Sequence, residues 1–167
     1  TQTAMDQMSI PPSMVGDVYL NLRTFPIRVG NVIEDNNVQI GYSGGFYPDC
    51  KELTWDQIAS SSGMPEDEAK TLTERERTTV TKRIRRVSTF SYIECAKAAR
   101  VNGANKLILN FVQYLDWNDY KLRGGIDTFK RLSKKTRTMI DEIEKISNVP
   151  VSLIGTGPSH EDVISLI

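Results

Sequence analysis

The chain has 167 residues, of which 39% are hydrophobic and 8% aromatic, enough for one domain with a substantial core. Its 21 Lys and Arg residues balance its 21 Asp and Glu residues, whereas proteins that bind nucleic acid through a charged surface carry a basic excess. No apolar run approaches the roughly 20 residues that cross a bilayer. Composition therefore argues against direct nucleic-acid binding and against a membrane protein.

Alternating strand and helix patterns predict an α/β fold with a mainly parallel sheet flanked by helices. Runs of β-branched and apolar residues indicate strands at 17–30, 38–40, 106–113 and 151–154, with an edge or bulge at Pro26. Residues 31–49 are rich in Gly and Asn and indicate a loop excursion. Capping and stop signals predict helices over 54–62, 65–70, 88–99 and 126–147, and a terminal helix from about Ser159.

The core stripe of the long predicted helix is apolar at helical spacing. Its members are Ile126, Phe129, Leu132, Met139, Ile143 and Ile146. A shorter stripe on the helix before it contains Ile93, Ala96 and Ala99. We expect both stripes to face the core.

The cysteines and the histidine offer little chemistry. Cys50 and Cys95 differ in context and His160 is the only histidine, too few for a disulfide framework or a metal site. We expect reduced thiols that pack in a cytoplasmic protein, and a histidine at the surface. The first six residues contain neither an initiator methionine nor a signal-peptide pattern, so we expect that the chain is cut from something longer.

Residues 79–86 carry four cations within five positions. Guanidinium groups are rigid forks that match carboxylates and phosphates, so this basic segment could bind an anionic small molecule. A solvated turn whose cations pair with Glu74 and Glu76 is the alternative. The segment alone leaves both interpretations open.

A second candidate site is the turn Gly155-Thr156-Gly157-Pro158 after the last predicted strand. Strand, glycine-rich turn and helix N-terminus can present backbone amides to an anion or to the edge of a base. A plain tight turn explains the same residues equally well.

The order of these motifs carries more information than any one of them. The set comprises Ile10-Pro11-Pro12, residues 16–19, Arg28-Val29-Gly30, the basic segment, residues 99–103 and residues 155–158. In this order they resemble the C-terminal half of adenylosuccinate synthetases over nearly the whole chain, and residues 43–49 and 54–55 are closest to the compact archaeal and phage branch.

The resemblance implies that residues 1–167 are the C-terminal portion of a single larger domain with a P-loop-like ligase fold. Its N-terminal half, with the phosphate loop, is absent from this sequence. A partly antiparallel excursion over residues 31–87 would carry the aspartate-binding loop. No catalytic residue and no metal ligand is assigned in this chain, which is not expected to be active alone. Magnesium would bind with the triphosphate through groups outside the chain, and a homodimer is implied.

The family uses a nucleoside triphosphate to phosphorylate the 6-oxygen of a purine 5'-monophosphate, and L-aspartate then displaces that phosphate. By the resemblance, Thr81, Arg83 and Arg85 bind the aspartate carboxylates, and Arg83 and Val29 contact the substrate ribose. A dicarboxylate held for attack through its amine needs at least two cationic forks, which agrees. Val80 and Lys82 depart from the family's threonine and glycine.

The donor-base site departs further from the family pattern. The family's T-K-L-D sequence aligns with residues 110–113, so Phe111 replaces the lysine and Gln113 the aspartate that accepts from guanine. An amide offers a donor and an acceptor, which suits adenine. Gly155 likewise replaces a serine. The residues assigned to the donor base are Asn110, Phe111, Gln113, Gly155, Gly157 and Pro158.

These departures favour the phage members of the family, which act on dGMP with ATP or dATP to make a succinylated precursor of 2-aminoadenine. The expected location is then the host cytoplasm. An archaeal-type synthetase acting on IMP with GTP or ATP remains open. A noncatalytic nucleotide-binding module is the alternative of another class. An RNA-binding domain is disfavoured by the neutral charge and by the few aromatic residues around the basic segment.

Overall fold

The computed structural model describes residues 2–33 and 39–167. The strands are β1 (Tyr19–Arg23), β2 (Ile27–Arg28), β3 (Val32–Ile33), β4 (Gln39–Gly41), β5 (Glu52–Leu53), β6 (Arg86–Ser88), β7 (Lys106–Asn110), β8 (Val151–Gly155) and β9 (Val163–Ser165). The helices are α1 (Gln2–Gln7), α2 (Trp55–Ser62), α3 (Glu66–Arg75), α4 (Tyr92–Asn102), α5 (Ile126–Phe129) and α6 (Lys134–Ser147).

The main sheet has the strand order β1-β7-β8-β9. β1, β7 and β8 are parallel, and β9 is an antiparallel edge strand. Apolar residues of β7 and β8, Leu107, Leu109 and Ile154, are fully buried against Ile140 and Ile143 of α6. Burying such side chains contributes about 1.5–3 kcal/mol each, so this layer holds the main core. The predicted α/β class with a mainly parallel sheet is confirmed.

A smaller antiparallel sheet, β2-β6-β5, lies beside the main one. It packs on a second core with α2 and α3, in which Trp55, Ile58, Leu72 and Val87 are buried. α2 begins with the predicted capping box, since Thr54 Oγ1 accepts from Gln57 N and Gln57 Oε1 from Thr54 N. β5 and most of β6 lie within the predicted excursion over residues 31–87, whereas β2 precedes it.

Strands β3 and β4 form a separate antiparallel pair. The predicted strand at 38–40 overlaps β4, and its first residue lies outside the described residues. α3 continues to Arg75, five residues beyond the predicted 65–70. The helix predicted over 88–99 starts later, because residue 88 still belongs to β6. Ser91 caps α4 instead, and its hydroxyl accepts from Glu94 N.

The strand predicted over 17–30 is wrong as one element. The chain leaves the main sheet at Thr24, whose backbone N donates to Asn110 O at 3.1 Å and whose hydroxyl donates to Phe111 O at 2.8 Å. After Pro26 it enters the other sheet as β2. These tertiary hydrogen bonds bend a segment whose side-chain pattern is continuous.

The helix predicted over 126–147 is two helices. Ser133 caps α6, and the buried carboxylate of Asp119 accepts from Ser133 N at 2.7 Å and from the Thr136 hydroxyl, so the chain turns there. Ile126 is 60% exposed and Ile146 49% exposed, which removes both from the core stripe. Ile93 on α4 is exposed as well.

The predicted strand over 106–113 ends at Asn110, because Phe111 adopts a φ of +66° and a 3-10 helix follows over Val112–Tyr114. The predicted terminal helix is absent. Residues 163–165 form β9 instead, and the tight turn before it is tied together by Asp162. Among the described residues, no helix is both long and apolar enough to cross a membrane.

Candidate functional site

The carboxyl ends of the three parallel strands lie at one edge of the main sheet. Arg23 ends β1 and pairs with Asn110 at the end of β7, while Gly155 ends β8. Ligands of open parallel sheets bind outside these strand ends. Most of the predicted site residues lie at or beside this edge.

The basic segment forms part of a hairpin. Arg77 and Ile84 pair as an antiparallel bridge, Thr78 N donates to Arg83 O at 2.9 Å, and the hydroxyls of Thr78 and Thr81 lie 2.6 Å apart. Lys82, at the family's glycine position, has a φ of +53°. Lys82 therefore adopts the left-handed backbone conformation that glycine adopts most easily.

Gly30 brings the predicted ribose contact against this hairpin. A Cβ at residue 30 would collide with Ile84 O and lie 3.1 Å from Arg83 Cβ, so only glycine permits this close approach. Val29 precedes it and is 61% exposed. The residue after Val29 thus packs closely on Arg83, and the contact of Val29 with the ribose stays a prediction.

The arginines of the basic segment fall into two groups. Arg86 is structural, because its guanidinium donates to both Glu52 carboxylate oxygens at 2.7 Å and to Gly44 O. The side chain of Arg83 makes no hydrogen bond or ion pair with the described residues. Arg85 approaches Glu76 Oε2 only to 3.7 Å, beyond hydrogen-bonding distance. Two guanidinium groups therefore remain available to a ligand.

The alternative interpretation, a turn neutralised by acids, holds only in small part. Glu74 pairs with Arg77, which precedes the segment, at 2.6 Å. Glu76 pairs closely with Arg23 and contacts Arg85 at the longer distance given above.

An open cavity of about 550 Å³, here called the arginine cavity, lies beneath the hairpin. Lys82, Arg83 and Arg85 line it together with Trp55 of α2. The indole N of Trp55 donates to Arg85 O at 2.8 Å and so fixes the backbone that carries the guanidinium. The cavity offers preorganised cationic forks, which suits a small carboxylate.

A second cavity of about 380 Å³, here called the base cavity, lies at the strand ends. Four of the residues predicted to bind the donor base line it: Phe111, Gln113, Gly157 and Pro158. Arg85 lines this cavity and the arginine cavity alike. The two predicted subsites are therefore neighbours.

Gln113 is the most informative residue of the base cavity. It is only 5% exposed, and its Oε1 atom is buried without a hydrogen-bond partner among the described residues. A buried polar atom left unpaired costs about 1–3 kcal/mol, so this one is explained best by a partner that arrives with a ligand. The flat walls of Tyr114, Trp117 and Tyr120 suit an aromatic ligand.

Asn110 and Gly155 do not line the base cavity, and their assignment to the donor base stays a prediction. Asn110 Nδ2 donates to Asn21 Oδ1 at 2.6 Å, and a Cβ at residue 155 would collide with Asn110 Oδ1. A side chain at residue 155 would have to displace the Asn110 amide, so the glycine is linked to the placement of Asn110.

The turn after β8 contains no helix N-terminus, which corrects the predicted anion site. The buried hydroxyl of Thr156 donates to Leu122 O at 2.7 Å, and Asp162 Oδ2 accepts from Ser159 N at 3.0 Å. These bonds fold the chain back into β9. What remains for a ligand is the surface of Gly157 and Pro158.

Three further residues line the base cavity: Arg23, Glu76 and Tyr114. Sequence patterns missed Arg23 and Tyr114, and named Glu76 only as a partner for the cations of the basic segment. The Arg23 guanidinium carbon lies 3.8 Å from the centre of the Phe111 ring. Glu76 Oε1 accepts from Arg23 and from the Tyr114 hydroxyl. Only Arg23 had an available signal, its position at the carboxyl end of a strand.

The cysteines and the histidine lie apart from both cavities. Both thiols are free, and burial raises the pKa of Cys95 to about 11, so that thiol stays protonated near neutral pH. His160 is exposed in the turn before β9. Within residues 2–33 and 39–167 no group of three or more His, Cys, Asp or Glu side chains could hold a metal ion. These residues therefore do not fit a magnesium site of their own.

Comparison with known proteins gives consistent relatives, although no protein-family model matches the chain. The chain is 41% identical over 163 residues to the N6-succino-2-amino-2'-deoxyadenylate synthase of Salmonella phage PMBT28, covering 97% of the chain and 38% of that protein. It is 31% identical over 159 residues to the adenylosuccinate synthetase of Methanocaldococcus jannaschii, covering 95% and 37%.

Solved structures agree. The succinoaminodeoxyadenylate synthetase of cyanophage S-2L, bound to dGMP and to dATP as an energy donor, matches with a TM-score of 0.65 and 27% identity over 98% of the chain and 38% of that protein. Adenylosuccinate synthetase from Plasmodium falciparum matches in fold, with a TM-score of 0.69 at 15% identity over 99% of the chain and 43% of that protein. The chain thus spans little more than a third of the curated relatives that it matches, 38% of the first.

Proposed function

We propose, from the premise that this chain belongs to the adenylosuccinate synthetase family, that residues 1–167 form the C-terminal portion of a ligase that joins L-aspartate to a purine nucleotide. The observation that carries the proposal is the meeting of two sites at Arg85. A cavity with two uncommitted guanidinium groups adjoins a cavity with aromatic walls and an orphaned amide oxygen. A dicarboxylate and a nucleotide base are the ligands that these two surfaces fit.

Aspartate is proposed to bind at the hairpin. Arg83 and Arg85 each offer a planar fork to one carboxylate, and the Thr81 hydroxyl adds a hydrogen bond. Holding both carboxylates orients the amine toward carbon 6 of the purine and lowers the entropic cost of the reaction. The amine displaces phosphate from the 6-phosphoryl intermediate, forming the carbon–nitrogen bond and releasing inorganic phosphate. Val29 and Arg83 border the ribose in this arrangement.

The donor base is proposed to bind in the base cavity. The Gln113 amide offers an acceptor for the adenine amino group and a donor for the neighbouring ring nitrogen. Guanine presents two adjacent donors to such a group, which a carboxylate would satisfy better. Phe111, Gly157 and Pro158 provide surfaces for the base. The adenine nucleotides ATP and dATP are therefore the proposed donors.

The substrate is proposed to be dGMP, giving N6-succino-2-amino-2'-deoxyadenylate as a precursor of 2-aminoadenine in phage DNA. Support comes from the phage synthases named above and from the amide at residue 113. IMP is the alternative, since archaeal adenylosuccinate synthetases align over almost as much of the chain. Homodimerisation, action in the host cytoplasm and use of magnesium with the triphosphate belong to the same proposal. Magnesium would be held by groups other than the described residues.

Product analysis tests the proposal. IMP, GMP and dGMP are offered together with aspartate and each triphosphate in turn to the full-length protein that contains this chain. We expect the succinylated product of dGMP to dominate with ATP or dATP. Dominant adenylosuccinate would select IMP instead, and no aspartate-dependent product would refute the ligase.

A further inference from the structure

Glu76 lines the base cavity and lies beside Arg85, which lines both cavities. It caps the C-terminus of α3 and is only 4% exposed. Its Oε1 accepts from Arg23 Nη2 at 2.5 Å and from the Tyr114 hydroxyl at 3.0 Å. Its backbone O accepts from Arg85 N at 3.0 Å. One acidic residue thus contacts the backbone of the hairpin and a wall of the base cavity.

The second carboxylate oxygen of Glu76, Oε2, makes no hydrogen bond with Arg85. Oε2 is buried and has no hydrogen-bond partner within the described residues, and Arg85 Nη1 lies 3.7 Å away. At this distance the opposite charges still attract, yet the N–H groups of Arg85 are not committed to Glu76. The arginine is oriented and remains available to a ligand carboxylate.

The other partner of Glu76 supports the base cavity. The Arg23 guanidinium lies 3.8 Å from the centre of the Phe111 ring, and the Phe111 and Tyr114 ring centres are 5.4 Å apart. Burial, reinforced by the charge of Glu76, raises the pKa of Tyr114 above its ordinary value, so the phenol stays protonated and donates. Loss of the Glu76 charge would remove the ion pair that holds Arg23 over Phe111 and the attraction that orients Arg85.

We propose that Glu76 is a positioning residue that sets the affinity for aspartate through Arg85 and the affinity for the donor nucleotide through Arg23 and Phe111. The inference rests on the function proposed above and extends it to a residue that acts on both ligands through other side chains. Glu76 acts by orienting Arg85 for the aspartate site and Arg23 for the base cavity.

The test is Glu76→Gln in the full-length protein. The amide keeps an acceptor for Arg23 and Tyr114 but turns a donor toward Arg85 and removes the charge, so Arg85 should shift. We expect KM for aspartate to rise about tenfold and KM for the donor about threefold, since bonds to charged groups are lost. KM for the purine monophosphate and kcat should stay within about twofold. A purely structural role would not separate the substrates in this way.

Glu74→Gln is the matched control, because it makes the same chemical change on an exposed glutamate that pairs with Arg77. All three KM values should stay at wild type. If Glu76→Gln does not fold, Arg23→Gln replaces it. That change leaves Arg85 as the one ion-pair partner of Glu76 among the described residues, beside the hydrogen bond from Tyr114, which should draw Arg85 into a direct hydrogen bond and again raise KM for aspartate.

Two failures are distinguishable. A wild-type protein that saturates with aspartate while Glu76→Gln, or Arg23→Gln in its place, shows the same KM for aspartate overturns the positioning role and leaves the proposed function standing. A wild-type protein that forms no aspartate-dependent product overturns the proposed function, and the positioning role with it.

Discussion

Replacing Arg83 with alanine is expected to raise KM for aspartate by about tenfold to hundredfold, because a hydrogen-bonded charge contact is worth about 1.5–3 kcal/mol. Arg85→Ala should act in the same direction. Since the Arg83 side chain has no hydrogen bond or ion pair among the described residues, its loss should leave thermal unfolding nearly unchanged. KM for the nucleotides should change less than KM for aspartate. Steady-state aspartate titration measures the effect.

Lys51→Ala is the control for this experiment. It removes the same unit of charge from an exposed side chain that lines neither cavity. Its KM for aspartate should stay within about threefold of wild type, as expected for a screened surface charge. An Arg83→Ala protein with the aspartate saturation curve of the wild type would contradict the assignment.

Replacing Gln113 with aspartate is expected to shift the donor preference from adenine toward guanine nucleotides. The carboxylate accepts from the two adjacent guanine donors but offers no donor to adenine. A well-placed bidentate pair discriminates by about 1–3 kcal/mol, so the ratio of kcat/KM for GTP over ATP should rise by about tenfold to hundredfold. Parallel titrations with GTP, ATP and dATP measure the ratio.

Asn118→Asp provides the matched change, because it converts an exposed amide to an acid on the 3-10 helix over Trp117–Asp119 without entering the base cavity. The donor ratio of that variant should equal the wild-type ratio. A wild-type protein that already requires GTP, or a Gln113→Asp protein that still prefers ATP, would remove Gln113 from the base site.

Helices and strands whose start and end are marked by residues in or next to the element itself could be predicted from the sequence. α2 has its capping box and a glycine at residue 63 with a φ of +71°, and β7 and β8 are short apolar runs. The predicted helix at the C-terminal end was wrong, because Ser159 and Asp162 are as common in a helix cap as in a tight turn. The buried bonds of Thr156 to distant backbone decide between them, and local patterns do not contain that information.

The candidate site was likewise predictable only in part. The arginines of the basic segment and the amide at residue 113 could be identified from the sequence, because they belong to an ordered set of motifs. The network around Glu76 could not, because it joins residues 53 and 38 positions apart in the chain. The contact of Gly155 was also absent from local patterns, because a Cβ there would meet the Asn110 side chain from the neighbouring strand.

The most direct measurement of the central claim follows the 6-oxygen of the purine. The full-length protein is given dGMP labelled with heavy oxygen at the 6-oxo position, heavy-nitrogen aspartate and ATP, and both products are analysed by mass spectrometry. We expect heavy oxygen in inorganic phosphate and heavy nitrogen in a succinylated nucleotide. Heavy oxygen retained in the nucleotide, or a nucleotide product without the aspartate nitrogen, would contradict it.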